Sequence, residues 1–278
     1  MTVQRELAKA PVSAWFGMIV IVIYAICAIL APLIAPHGQA EIVGRAYLPG
    51  GLHADFLLGT DQIGRDIFSR LIYGARNTIG VALIATLISF FVGVTVGVLA
   101  ALNRGWFDQI VSRIADALLA MPALIFALML LAIFGKGMAN LIVILAMLDA
   151  TRVFRLSRAS ALNVVVMDFV EAAILRGEGI GWIIFKEIIP NIVAPLITEF
   201  GLRFCFVFLT ISALSFLGVG IQPPTANWGS MVSENKSLIT YGNLTPLYAA
   251  GAIVLLTVAV NFVVDWLLNK TSGLRDGH

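Results

Sequence analysis

Residues 170–192 read VEAAILRGEGIGWIIFKEIIPNI. Acids, bases, three glycines and a proline interrupt a chain that is otherwise mostly hydrocarbon. Upstream of it, Leu162, Val165, Val166, Phe169 and Ala173 recur at helical spacing, which predicts a helix over 157–177. Ala172 and Ala173 are small, so another surface can approach that helix closely. Gly177, Gly179 and Gly181 permit a sharp reversal. GWIIFKEII then reads as a second short helix that Pro190 closes before the next apolar run. A helix, a glycine turn and a helix suit insertion into a partner's groove, and suit equally a plain amphipathic surface loop.

The surroundings decide where this stretch sits. Hydrophobic residues fill 60% of 278 positions and charged residues 12%, against about 45–50% and about 25% in soluble domains. Mean hydropathy is +0.97. The chain is therefore an integral membrane protein. Segments with the roughly 20 apolar residues a spanning helix needs fall at 12–36, 78–102, 114–134, 138–154, 194–219 and 245–268. The fourth is the weakest, because it carries Asp149 and Arg152. The apolar run after MTVQRELAKAP is longer than that of a signal peptide and is read as an uncleaved span.

Basic residues set the orientation. Arg5, Lys9, Arg104, Arg113, Arg152, Arg155, Arg158, Arg176, Lys186, Lys270 and Arg275 fall on one side of a six-span arrangement. Arg45, Arg65, Arg70, Arg76, Lys136 and Lys236 fall on the other, so the count is eleven against six. The predicted fold is an all-α membrane protein with six transmembrane helices and both termini cytoplasmic. It forms a single domain over 1–278, with an external loop at 37–77 and a cytoplasmic loop at 155–192. Within the external loop, GTDQIGRDIFSRLIYGARNT reads as an amphipathic helix on the outer membrane surface. Thr60 or Asp61 would cap it, and Asp61–Arg65 and Asp66–Arg70 would form i,i+4 pairs. A second reading makes this loop, through Asp61, Arg65 and Asp66 and with Trp228, an external docking surface.

Several chemistries are excluded. The arginines are dispersed, so nucleic-acid binding has no support. No GxxxxGK[ST] loop or GxSxG elbow occurs, so no catalytic residue is assigned and the chain has no ATP site of its own. Cys27 and Cys205 lie in apolar runs and read as small buried hydrophobes. His37, His53 and His278 lack metal-ligand spacing, and no metal is expected. Asp116, Asp149, Glu199, Arg203 and Asp265 lie in or near predicted spans. Such residues face a bundle interior or a wet cavity. Glu199 and Arg203 at i,i+4 can neutralise each other, as can Arg113 and Asp116 at i,i+3. Structural pairing and contact with a solute pathway are both open readings.

Here the opening stretch carries a resemblance. Glu171-Ala172-Ala173, then Gly177, then an apolar stretch ending in Ile189-Pro190 resembles the EAA motif of permease subunits in binding-protein-dependent ABC importers. Ile189 replaces the usual Leu before the proline, and Glu187 the usual Ile two places earlier. LGTDQIGRDIFSRLIYGAR (58–76), RIADALLAMPALIFAL (113–128) and LSFLGVGIQPPTANWGSM (214–231) are similar to the C-type permeases of dipeptide, oligopeptide and nickel importers. The likeness runs from about residue 58 to the C-terminus. One departure lies in the fifth span, where Ile211 beside Thr210 stands for a usual acid while Glu199 and Arg203 appear earlier.

The resemblance implies a type I ABC importer permease in a bacterial inner membrane, working by alternating access. The implied partners are a homologous B-type permease, two ATPase subunits that carry ATP and Mg, and an external solute-binding protein. Glu171, Ala172, Ala173, Gly177 and Pro190 would then form the ATPase-coupling loop. Peptides are the leading solute, with nickel, opines or other small solutes as alternatives. A secondary transporter and a membrane-anchored structural partner are the rival classes.

Overall fold

The computed structural model describes residues 10–51 and 56–271. His53, His278, Arg5, Lys9 and Arg275 lie outside the described residues. The chain is a bundle of helices. In order these are α1 (Val12–Ile29), the short α2 (Ala31–Ile34), α3 (Ile67–Leu102), α4 (Trp106–Leu119), α5 (Ala123–Phe134) and α6 (Met138–Val165). Then come α7 (Asp168–Leu175), α8 (Ile180–Trp182), a π-helical stretch (Ile183–Ile188), α9 (Ile189–Phe216), α10 (Trp228–Asn235), a 3₁₀ turn (Lys236–Tyr241) and α11 (Thr245–Thr271).

Helices α3 and α6 form the most extensive packed pair. The reason is a stripe of small residues along α3: Ala82, Ala85, Ser89, Gly93, Gly97, Ala100 and Ala101 are all buried. In lipid there is little hydrophobic drive between helices, so close backbone approach supplies the contact energy. Gly93 and Gly97 make a GxxxG pair that takes this to its limit. A Cβ on Gly93 would come within 2.6 Å of the Val153 Cβ, and one on Gly97 within 2.1 Å of the Ser157 Oγ. Ser157 donates to the Gly93 carbonyl at 3.0 Å. On the other side of the bundle, α1 packs against α11, with Gly17 against the Ala259 carbonyl.

Four of the six predicted spans correspond, with changed boundaries, to single helices of spanning length and hydropathy. Val12–Ile29, Ile67–Leu102, Ile180–Phe216 and Thr245–Lys270 are long and apolar enough to cross a membrane. The predicted third span is not one rod. Its helices α4 and α5 meet at 94° across a break at residues 120–122, where Pro122 starts α5. The fourth, α6, reaches Val165, well past 154. Asp149, Arg152 and Arg155 keep it out of the apolar set. The helix predicted over 157–177 is broken at Val166–Met167, and α7 starts at Asp168.

The external amphipathic helix is absent. Residues 59–66 form a folded turn instead, and α3 begins at Ile67 and runs unbroken into the span. Gly64 explains the boundary: its φ is +87°, and a Cβ there would meet the Gly44 carbonyl oxygen at 2.1 Å. The cap is Asp66 rather than Thr60 or Asp61. Its carboxylate accepts from the Phe68 and Ser69 amides. Thr60 instead ties residues 45–48 down, donating to the Arg45 carbonyl and accepting from the Leu48 amide.

The four candidate docking residues are internal. Asp61, Arg65, Asp66 and Trp228 are all buried, so none is offered to a partner. Arg65 Nε pairs with Asp61 at 2.6 Å, as the i,i+4 spacing predicts. Arg70 does not take Asp66: it pairs with Asp61 and reaches Glu234 of α10 at 2.8 Å. Arg65 Nη2 reaches the same Glu234 at 2.9 Å. Two arginines and two carboxylates thus tie the start of α3 to α10. Burial alone would raise the Asp61 pKa. The Arg65 and Ile63 amides and the nearby Arg70 guanidinium outweigh it and hold the carboxyl below the usual 3.8. Trp228 completes the joint. Its ring covers Gly74, its Nε1 donates to the Leu71 carbonyl at 2.9 Å, and Tyr24 and Phe208 meet it edge-on.

Gly97→Val should lower the thermal midpoint in detergent by the equivalent of at least about 1–3 kcal/mol, the scale of overpacking. Gly80→Ala, where nothing stands within 4 Å, should be neutral or stabilising. Asp61→Asn leaves the two buried arginines with Glu234 as their one carboxylate, so one buried positive charge is uncompensated, and should cost about 3–5 kcal/mol. Because the folded carboxyl titrates below its usual value, its stabilisation is complete above pH 3.8 and fades as pH falls further. Acid scans of thermal stability should therefore be steeper for the parent chain than for Asp61→Asn.

Candidate functional site

Two features stand apart from the apolar packing. The first is the turn that α7 and α8 make at the end of the bundle opposite the Asp61 joint. It is anchored from below: Val170, Ala173, Ile183 and Ile188 are buried against Val98, Ala101, Ala161 and Val164. Gly177 closes α7 with a φ of +80°. Its amide donates to the Ile174 carbonyl at 2.9 Å, and the Glu178 amide donates to that of Ala173 at 3.2 Å. These two bonds are a Schellman closure, which needs a left-handed residue at this position. Gly179 lies at φ −69°, so the reversal rests on Gly177 alone among the three glycines.

The outer surface of the turn is open. Glu171, Ala172 and Gly177 are exposed while Ala173 is buried, so the small pair splits between partner side and anchor side. Phe169, Ile174, Ile180 and Trp182 of the same segment are exposed too, with Leu175 at 80% and Phe185 at 70% exposure. An apolar patch of this kind marks an interaction surface. Arg176 braces it, lying 3.6 Å from Glu178 and 5.7 Å from the Trp182 ring centre. Pro190 does not end a helix here, since the helix runs on from Ile180 to Phe216. The π-helical turn before it, in which the Ile189 amide donates to the Ile184 carbonyl, widens the coil where an ordinary α-turn would clash with the ring.

The second feature lies inside the bundle, where α6 meets α9. Glu199 and Arg203 pair at 2.7 Å. Arg203 lies 3.7 Å from Asp149, and Asp149 lies 3.7 Å from Arg152. Ser89 of α3 donates to the same Asp149 carboxylate at 3.2 Å. The result is one line of alternating charge, Glu199–Arg203–Asp149–Arg152, threading two helices. Sequence spacing identified the first pair. It did not bring Asp149 or Ser89 to it, because the Asp149–Arg203 and Ser89–Asp149 contacts cross between helices, and Arg152 joins only through Asp149, three residues before it on α6. Asp116 is separate: it takes Arg155 at 3.9 Å, both exposed, rather than Arg113. A cavity of about 240 Å³ borders the line, with Asp149, Arg152, Leu124, Phe206 and Thr210 among its walls. Among the described residues no three His, Cys, Asp or Glu side chains gather as a metal site. Both cysteines are free.

Comparison with known proteins agrees with this architecture. Residues 93–271 match the family model of the binding-protein-dependent transport system inner membrane component. Residues 12–49 match the N-terminal TM domain of oligopeptide transport permease C. The chain is 38% identical over 266 residues to the dipeptide transport system permease protein DppC of Escherichia coli, covering 94% of this chain and 86% of that one. It is 34% identical over 266 residues to the di/tripeptide transport system permease protein DppC of Pseudomonas aeruginosa, covering 94% and 85%. The glutathione transport system permease protein GsiD of Pectobacterium atrosepticum is 32% identical over 272 residues, covering 98% and 88%. The chain belongs to the binding-protein-dependent transport system inner membrane component family, and is a multi-pass inner-membrane transport permease with the all-helical type I fold.

Proposed function

We propose that this permease is the C-type transmembrane subunit of an ATP-driven importer for di- or oligopeptides. It works by alternating access, beside a homologous B-type permease, two ATPase subunits and an external binding protein. ATP and Mg belong to the ATPase subunits. The peptide assignment is supported by the names of the relatives, which are dipeptide, di/tripeptide and glutathione permeases. Nickel, opines or other small solutes would use the same architecture. Screening solutes for the one that stabilises the cognate binding protein separates them.

Six spans with both termini in the cytoplasm fit the eleven-to-six bias of basic residues. Of the charges that weaken α6 as a span, Asp149 pairs with Arg203 of α9 and with Arg152 one turn along α6, which lowers the cost of placing them in a bilayer. A secondary transporter would call for broken helices in corresponding halves. The one bent pair, α4 with α5, has no such counterpart among the described helices.

The observation that carries the ATP-driven reading is the rigid, open turn around Glu171. An ATPase can bias the permease only through contacts that differ between two states. A turn fixed by buried Val170, Ala173 and Ile183 transmits such a push to α6 and α9 without yielding. Glu171 supplies the charge for a partner Lys or Arg, and Ala172 leaves room for close approach.

Glu171→Lys should insert in the membrane normally yet lose both uptake and co-purification with the ATPase. Retention of both would remove the coupling role from this turn. Gly177→Val meets open space, so its cost is the left-handed backbone alone, about 1–2 kcal/mol. Uptake by that variant should fall less than by Glu171→Lys.

A further inference from the structure

We propose that Arg152 is a specificity-determining residue that holds the carboxylate end of the solute as it passes the membrane. The inference rests on the peptide reading above and names the chemical group that the inside of the bundle recognises.

The line of charges is closed at one end and open at the other. Glu199 and Arg203 engage each other at 2.7 Å and are largely buried. Arg203 is further held by the Phe206 ring, 4.7 Å beneath its guanidinium. Asp149 is 5% exposed and sits between the Arg203 and Arg152 guanidinium groups, each at 3.7 Å, with a hydrogen bond from Ser89. Arg152 differs from all of these. It is 39% exposed. Among the described residues its guanidinium has a single ionic partner, Asp149 at 3.7 Å, and no hydrogen bond shorter than that. A guanidinium offers five N–H donors in a planar fork, and here the fork is essentially unused.

That fork borders the cavity of about 240 Å³. Closed ligand pockets run from about 300 Å³ upward, so this space suits one end of a solute rather than the whole. Leu124, Phe206 and Val207 make its walls apolar, and Thr210 adds a hydroxyl. The cleft is mostly apolar, and its two charged lining residues are Asp149, which Arg203 also pairs, and Arg152, whose underused fork fits a carboxylate through two parallel hydrogen bonds. Asp149 positions the guanidinium without saturating it. A lysine would offer a point charge in place of the fork.

The test uses the complete importer in proteoliposomes, with its binding protein at saturation. The probes are a dipeptide with a free C-terminus and the same dipeptide as its C-terminal amide. Maximal transport of the free acid by Arg152→Gln should fall by about tenfold or more, the scale of losing a hydrogen bond to a charged group. Transport of the amide should change little, which also shows that the variant folds and couples. Arg152→Lys should recover part of the acid transport. Equal losses for acid and amide, or no loss for either, would overturn the role of Arg152 while leaving the peptide reading intact. A wild-type complex that moves neither peptide would overturn both. If Arg152→Gln fails to assemble, acid and amide are compared on Arg152→Lys, where equal rates relative to wild type would count against the proposal.

Discussion

The structure depends on how closely α3 can approach α6. Inside a bilayer, apolar side chains gain little by leaving lipid for one another, so helix association rests on dispersion and backbone proximity. The stripe from Ala82 to Ala101 leaves the facing surface of α3 with short side chains, and with none at Gly93 and Gly97. Two long helices then run side by side, and their ends are placed in consequence. At about 1.5 Å per residue, the 36-residue α3 spans roughly 54 Å, well beyond the roughly 30 Å apolar layer. One end of α3 therefore carries the Asp61–Arg70–Glu234 joint and the other the anchored turn at Gly177.

Charge plays three different roles along this axis. At the first end, Asp61, Arg65, Arg70 and Glu234 are desolvated together and act as a fastener. In the middle, Glu199, Arg203, Asp149 and Arg152 neutralise one another in a line, which is the form in which ionised groups persist among spans. At the far end, Glu171 is exposed and without a salt-bridge partner among the described residues. A fastener is shut off by burial, whereas a coupling surface needs an accessible charge. Burial thus separates residues that look alike as letters.

Much of this was legible in the residues themselves. The i,i+4 spacing of Glu199 and Arg203, and of Asp61 and Arg65, puts each pair on one helix face or in one turn, and both pairs form. Gly177 follows a helix whose closure requires a left-handed residue, and it supplies one. The GxxxG at Gly93 and Gly97 was equally available as a signal for α3–α6 packing, though hydropathy alone passes over it. The failures share a cause. GTDQIGRD has the periodicity of an amphipathic helix, yet Gly64 and the pairing with residues 42–48 impose a turn. Asp66–Arg70 has ideal spacing, but Glu234 and Asp61 offer Arg70 a better site.

The sequence by itself determined a multi-span helical membrane protein, the positions of its apolar runs, its family motif and its local charge pairs. All of these depend on composition and on neighbours within a few residues. Only the tertiary structure decided that α4 and α5 bend apart, that Pro190 lies within a continuous helix and that Trp228 and Asp61 are internal. It also decided that Arg152 closes a charge line shared by two helices. The physical reason is distance along the chain. Asp149 meets Arg203, and Arg70 meets Glu234, across 54 and 164 residues. No local pattern encodes which of several chemically equivalent partners packing will bring within reach.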